Sequence, residues 1–545
     1  MSSGFPWVTV IGAIPLLGAI VVMALPKARE SEARVVAMVA SLLALAASIV
    51  MAVQYKDGGS RFQFTQDYSW IKAFGAHYAV GVDGIALALI LMTTALTPVC
   101  ILASWHDVEA APVGVDRSDT DDDEDAAPIA PAGRGPKAFF ALMLATETLV
   151  IGVFGSLDVF FFYVLFEAML IPMYFLIGSF GGPRRSYAAV KFLLYSLTGG
   201  LLMLVAVIGL YVTSVHQLGT GTFDYRVLIT QLHISHGEQV ALFLGFFIAF
   251  AIKAPLWPFH TWLPDAASEA PTGTAVMLVG VLDKVGTFGF LRYCIPLFPY
   301  AAKLFAPYIL GLCVVGILYG ALLSVGQRDM KRLVAYSSVS HFGFIALGIF
   351  AFTTQGGSGA TLYMVNHGFS TGALFLVVGF LSTRRGSRLI ADFGGVSSVA
   401  PWLGAMTLVA GLSALALPGL STFVSEFLVL LGTFTTHRWF AVVATFGIVL
   451  AAVYVLWMVQ RTIHGPVGAG VEAFKDLSWR EAWVIGPVIA VIVVLGVYPK
   501  PLLDAINPAV IHTNSVVRSH DPSPSVPERS TSPASITFTA NGSSK

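Results

Sequence analysis

The sequence predicts an all-α, polytopic membrane protein of about fourteen transmembrane helices. Three observations carry that expectation. Hydrophobic residues make up 56% of the 545 residues and charged ones 11%, with a mean hydropathy of +0.78; most of such a chain must be solvated by lipid. Its apolar runs span about 18–25 residues each, enough to cross a hydrocarbon core as helix, without the alternation of a membrane β-barrel. Prolines and ionisable residues interrupt several runs, which at membrane depth is tolerated only where neighbouring protein or a cavity re-satisfies them.

Taken in order, spans one to three cover 6–25, 35–53 and 84–104 within a unit of residues 1–106, with Asp83 placed to N-cap the third. The first run is too long for a signal-peptide core and lacks a basic leader, so it is expected to be retained. Residues 107–137 are polar, with Asp119, Asp121, Asp122, Asp123, Glu124 and Asp125 ahead of an Ala/Pro/Gly stretch. That composition buries too little apolar surface to fold, and a disordered acidic loop is expected, with an acidic tether as the functional alternative.

Spans four to eight (138–154, 159–180, 192–212, 240–255, 274–293) fall within 138–300, and spans nine to thirteen (305–325, 333–350, 361–381, 403–427, 440–459) within 301–465. The fourth member of each set is interrupted, at Pro255 in span seven and at Leu417-Pro418-Gly419-Leu420 in span twelve. Paired broken helices at corresponding positions predict two inverted five-helix repeats with a site at mid-depth. A loop and span fourteen (483–497) occupy 466–505, and 506–545 is expected to be a disordered tail.

Lysine and arginine concentrate in alternate loops: Lys27, Arg29 and Arg34; Arg117, Arg134 and Lys137; Arg184 and Arg185; Arg328, Lys331 and Arg332; Arg384, Arg385 and Arg388; Arg461, Lys475 and Arg480. The positive-inside rule then puts both termini outside the cell membrane. Net charge is zero and no long basic run occurs, which argues against nucleic acid as a partner. Cys100, Cys294 and Cys313 lie in apolar segments without metal-ligand spacing, and no glycine-rich nucleotide motif is present.

The functional signal is the set of ionisable residues at or near membrane depth on different helices: Glu147, Glu167, Lys253, Lys284, His341, His367 and Glu426. A charge at bilayer centre costs about 2.5–3.5 kcal/mol on insertion scales, so such residues usually mark an ion or proton pathway. A static buried ion pair between Glu167 and a lysine is the structural alternative. His341 and His367 are either helix-packing residues bonded to hydroxyls such as Ser337 and Ser370, or relay stations between Lys284 and Glu426. Asp283, about 100° around a helix from Lys284, is expected to be a packing residue. Glu147 has a structural and a functional reading of equal weight, and Arg292 and Lys191 are placed to snorkel from helix ends.

At Lys253-Ala254-Pro255, followed by Trp257-Pro258-Phe259-His260-Thr261-Trp262-Leu263-Pro264-Asp265-Ala266, the sequence resembles the antiporter-like membrane subunits of type I NADH:quinone oxidoreductase, respiratory complex I. That family also holds Mrp-type cation/proton antiporter chains and membrane-bound hydrogenase subunits. Glu167-Ala168-Met169-Leu170-Ile171-Pro172-Met173-Tyr174, Glu269-Ala270-Pro271-Thr272 and Asp329-Met330-Lys331-Arg332-Leu333-Val334-Ala335-Tyr336-Ser337-Ser338, with His341 after it, carry the same resemblance over roughly residues 80–500. Glu426, where other branches typically carry a lysine, makes the M branch the most similar. The resemblance implies that Glu167 and Lys253 form a switchable pair, that Lys284 is the central proton carrier, that His341 connects it onward and that Glu426 is the exit-side acid. It implies no cofactor on this chain, with FMN, iron–sulfur clusters and quinone on partner subunits, and L-like and N-like antiporter subunits on either side. The driving event then comes from the partners: moving one charge through about 150 mV needs about 3.5 kcal/mol. An Mrp-type antiporter subunit and a pump-dead structural spacer are the competing expectations.

Overall fold

A computed structural model describes residues 4–106 and 135–517, apart from the side chains of Lys27 and Ala28. Nearly all of the acidic segment and the end of the tail lie outside the described residues.

Among them, thirteen helices are long and apolar enough to cross a membrane. The first are α1 (Trp7–Ala24), α2 (Ala33–Gln54), α3 (Gly84–Ala103) and α4 (Pro136–Gly155). Asp83 caps α3 as expected, accepting from the Ala86 N–H at 2.9 Å. The next span is split at Met169 into α5 (Val159–Ala168) and α6 (Leu170–Phe180), followed by α7 (Arg185–Leu218) and the short α8 (Tyr225–Gln231). Span seven is broken as the prolines require: α9 (His236–Lys253) stops ahead of Pro255, and the chain resumes helix at α10 (Trp262–Glu269).

The eighth span is irregular. It runs through α11 (Thr272–Met277), a π-helical turn (Leu278–Leu282), α12 (Lys284–Gly289), a second π-helical turn (Phe290–Cys294) and α13 (Ile295–Leu297). Wide turns of this kind recur at functional positions in helices. Then come α14 (Pro299–Val325), α15 (Met330–Phe350), α16 (Thr354–Arg385) and the single turn α17 (Val396–Val399). Span twelve is also broken, into α18 (Pro401–Ala414) and the start of α19 (Ser421–Thr462); α19 is kinked at His437 and continues as the thirteenth span. The last two helices are α20 (Trp479–Val497) and α21 (Lys500–Val516).

Two elements depart from the expectations. The polar stretch after α2 folds as an antiparallel hairpin, β1 (Gln63–Ile71) on β2 (Ala76–Val82), with two register shifts. An isolated two-stranded hairpin is marginal in water; this one packs through β2 against α1, α3, α4 and α5. Residues 506–516, assigned to a disordered tail from their polarity, continue α21 instead. Ala505, Ile506, Ala509, Val510 and Thr513 form a buried stripe at helical spacing, and the helix docks on α3 and α16.

Burial separates the spans. The most apolar windows of Thr272–Leu297 and Thr354–Arg385 are 100% buried and that of Met330–Phe350 94%, against 33% for α1 and 28% for α20. Lys284, His341 and His367 therefore lie on the three spans most enclosed by the rest of the chain. Several basic residues of the alternate loops donate to carbonyls at helix C-termini. Arg34 reaches the Trp105 carbonyl at 3.0 Å, Lys331 that of Ala270 at 3.0 Å, and Lys137 that of Leu25. Cations placed there complete orphan acceptors and complement the helix dipoles.

Candidate functional site

The site begins where α9 ends. Lys253 is its last residue, at the negative end of the helix dipole. The Trp262 indole N–H donates to the Ile252 carbonyl at 2.9 Å, so α10 supplies one partner that the break removed. Lys253 is fully buried and its Nζ has no hydrogen-bond partner; it sits 5.6 Å from the Phe166 ring centroid and 5.3 Å from that of Phe192. Such cation–π contacts hold an ammonium without neutralising it.

Glu167 lies one helix away, near the end of α5. Its carboxyl fills a notch that exists because residue 200 on α7 is glycine: a Cβ there would fall 1.6 Å from Oε1. That oxygen is buried and accepts no hydrogen bond. Glu167 is within electrostatic reach of Lys253, yet no nitrogen–oxygen contact within 4.0 Å joins them. The pair expected from the sequence is open in this structure, with the acid held at Gly200 and the base over aromatic rings.

Beyond Lys253 the groups form a file. Lys284 opens α12; its Nζ lies 2.7 Å from Nδ1 of His367 on α16, donates to the Val279 carbonyl of the π-helical turn, and sits 4.9 Å from the Phe342 ring centroid. Close helix approach brings these together, since a Cβ at Gly368 would meet the Gly280 carbonyl at 2.9 Å. The His367 and His341 rings lie edge to face with centroids 5.4 Å apart. His341 Nδ1 is 2.6 Å from the Tyr363 hydroxyl, which in turn lies 3.4 Å from Glu426 Oε2. The file is thus Lys284, His367, His341, Tyr363 and Glu426, all buried. The side-chain bonds to Ser337 and Ser370 offered as the packing alternative are not made; Ser337 donates to the Val334 carbonyl, and the Ser370 hydroxyl has no partner.

Tyr363 escaped the sequence analysis because a tyrosine in an apolar helix carries no charge to flag it. Its spacing of four residues from His367 was the available signal, since it puts the two on one face of α16. The break in span twelve is bridged rather than capped by Glu426: Asn366 Nδ2 donates to the Ser421 carbonyl at 2.6 Å and to Ser425 Oγ at 3.2 Å, and Thr422 donates to the Ser413 carbonyl.

Other candidates fall elsewhere. Glu147 is fully buried on α4, its two carboxylate oxygens without hydrogen-bond partners and Cys100 its neighbour; it does not join the file. Arg292 does not snorkel. It is buried in the second π-helical turn, 2.9 Å from Asp83, with the rings of Phe62, Phe288 and Tyr225 around it. Lys191 is held by Asp265 at 2.7 Å, an acid it shares with Arg332. Asp283 is fully buried and unbonded, within electrostatic reach of both Lys253 and Lys284.

Residues 156–451 match the family model described as NADH:quinone oxidoreductase/Mrp antiporter, TM. The chain is 52% identical over 544 residues to NADH-quinone oxidoreductase subunit M of Mycobacterium tuberculosis, covering 96% of each. It is 38% identical to subunit M of Rhodobacter capsulatus over 92% of this chain and 95% of that one. To NADH-ubiquinone oxidoreductase chain 4 of Arabidopsis thaliana it is 36% identical over 91% and 94%. Among solved structures, a chain of respiratory complex I from Thermus thermophilus with bound NADH superposes with a TM-score of 0.81 at 29% identity, over 94% of this chain and 99% of that one. A chain of the Mrp complex from Dietzia shares the fold, with a TM-score of 0.75 at 19% identity, over 94% of this chain and 55% of that one.

Proposed function

The chain belongs to the family of NADH:quinone oxidoreductase and Mrp antiporter membrane subunits, and from that premise we infer that it is the proton-translocating, non-redox M subunit of an NADH-quinone oxidoreductase. The observation that carries the reading is the buried file from Lys284 to Glu426, with Lys253 and Glu167 behind it. Relatives named subunit M or chain 4 match nearly the whole length, whereas the Mrp likeness supports the fold alone. Proton movement begins when Glu167 leaves the Gly200 notch and meets Lys253, holding it protonated. When Glu167 swings back, the buried ammonium releases its proton toward Lys284, whose Nζ already touches His367. Partner subunits carrying FMN, iron–sulfur clusters and quinone supply the driving event, and L-like and N-like subunits flank this chain in the membrane. The Lys- and Arg-rich alternate loops face the cytoplasm, leaving both termini outside a cell membrane.

The direct test is Glu167→Ala in membrane vesicles. NADH-driven proton uptake is expected to fall by on the order of tenfold, the equivalent of about 1.4 kcal/mol, while the complex still assembles; Glu167→Asp is milder. Normal uptake by assembled Glu167→Ala complex reduces Glu167 to a packing residue. Co-purification separates the family's two activities, since a flavin and iron–sulfur assembly carries the first and a colourless hetero-oligomer the Mrp type.

Tyr363→Phe removes the one hydroxyl between His341 and Glu426. It leaves both groups buried and short of a partner, at a cost of about 1–3 kcal/mol, and pumping is expected to drop several-fold with NADH oxidation by the membranes still measurable. Wild-type pumping by the phenylalanine variant would remove Tyr363 from the path.

A further inference from the structure

Asp283 is a buried carboxylate beside the two lysines in sequence and packing that the pathway described above does not use. It is 0% exposed, and neither oxygen has a hydrogen-bond partner. A structural aspartate at this depth would cap a helix or close an ion pair, because an unpaired buried carboxylate is costly. Asp283 does neither. Its N–H reaches back to the Leu278 carbonyl at 3.2 Å, closing the π-helical turn, and its side chain is left free.

Packing decides what that side chain faces. Asp283 and Gly286 are three residues apart and share a face of the helix. A Cβ at Gly286 would lie 2.6 Å from both the Ala254 N and the Phe250 carbonyl, so this face is pressed against the end of α9, where Lys253 stands. The charges alternate along this line. Lys253 stands within electrostatic reach of both Asp283 and Glu167. Lys284 feels Asp283, and Asp283 feels both lysines.

We propose that Asp283 is the proton-carrying station between Lys253 and Lys284, an inference that rests on the translocation reading above. The Lys253 ammonium gives one proton to the Asp283 carboxylate, leaving a neutral amine and a carboxylic acid. The acid passes that proton to the neutral amine of Lys284 and returns to carboxylate. One proton moves and no redox partner enters. The summed charge of the three groups is zero before, between and after the two transfers, so no stage places a net charge in the buried interior, where it would be expensive. A direct lysine-to-lysine transfer keeps the same sum but leaves Asp283 ionised throughout, whereas the relay passes through a stage in which each of the three groups is neutral.

The test uses the assembled complex in membrane vesicles. Asp283→Asn is expected to lower NADH-driven proton uptake by on the order of tenfold with assembly retained, and Asp283→Glu to keep most of it. During turnover, the infrared difference spectrum of the wild type should contain a protonated-carboxyl C=O band that is absent in Asp283→Asn and displaced in Asp283→Glu. If Asp283→Asn does not assemble, displacement of the band in Asp283→Glu supports the proposal and an unmoved spectrum overturns it. Should Lys253→Ala and Lys284→Ala stop pumping while Asp283→Asn pumps normally with an unchanged spectrum, Asp283 is a packing residue and the translocation reading stands. If none of the three changes pumping, the path itself is misassigned and the proposal falls with it.

Discussion

Lys253→Arg is expected to abolish proton translocation as completely as Lys253→Ala, with uptake by NADH-energised vesicles falling by on the order of tenfold to a hundredfold while the complex assembles. The arginine keeps a permanent positive charge at the end of α9 and stacks on aromatic rings at least as well as lysine, so the contacts with Phe166 and Phe192 survive. What it cannot do is deprotonate. The substitution therefore isolates proton release from charge, packing and cation–π attraction. A static pair that only fixes helix register would accept arginine, because Glu167 would still meet a cation. Vesicle acidification at the wild-type rate by Lys253→Arg complex would mean that a fixed charge suffices, and the relay from Lys253 onward would have to be abandoned.

Glu426 offers the complementary experiment at the other end of the file. Glu426→Ala is expected to lose pumping to the same order of magnitude, and Glu426→Gln to lose it too. Glutamine keeps an acceptor for the Tyr363 hydroxyl, which lies 3.4 Å from the carboxylate, and alters the volume little. If Glu426 served only to tie the re-entering half-helix, the amide would serve as well. That task belongs to Asn366 and Thr422, whose bonds to the Ser421 and Ser413 carbonyls do not involve Glu426. Glu426→Lys restores a group that gains and loses protons and is expected to pump in part. Full uptake by the Glu426→Gln variant would eliminate position 426 as a proton carrier.

The membrane class, the order of spans and both helix breaks were legible in the sequence, because each follows from local chemistry. An apolar run of about twenty residues has few alternatives to a spanning helix, and Pro255 closely followed by Pro258 ends span seven, whereas single prolines such as Pro98 and Pro307 are accommodated inside α3 and α14. The same logic singled out Glu167, Lys253, Lys284, His341, His367 and Glu426, since an ionisable side chain at membrane depth is conspicuous without knowledge of its neighbours. The sequence was silent where the outcome depended on marginal local signals and on docking. The β1–β2 hairpin and the α21 stripe gain their stability from the helices that they cover, which residue polarity does not encode.

Which of the buried groups touch is likewise a property of the packed helices. Adjacency in sequence says only that Asp283 points away from Lys284; that a π-helical turn precedes it and that Gly286, three residues on, is pressed against the end of α9 are facts of the packing. Tyr363 bears no charge and became part of the file only when α16 set it between His341 and Glu426. Residue chemistry alone determined that this chain must carry ionisable groups through a membrane. The spacing between those groups was decided by tertiary close packing, because contacts of 3 Å depend on glycine-mediated helix approach between segments far apart in the chain.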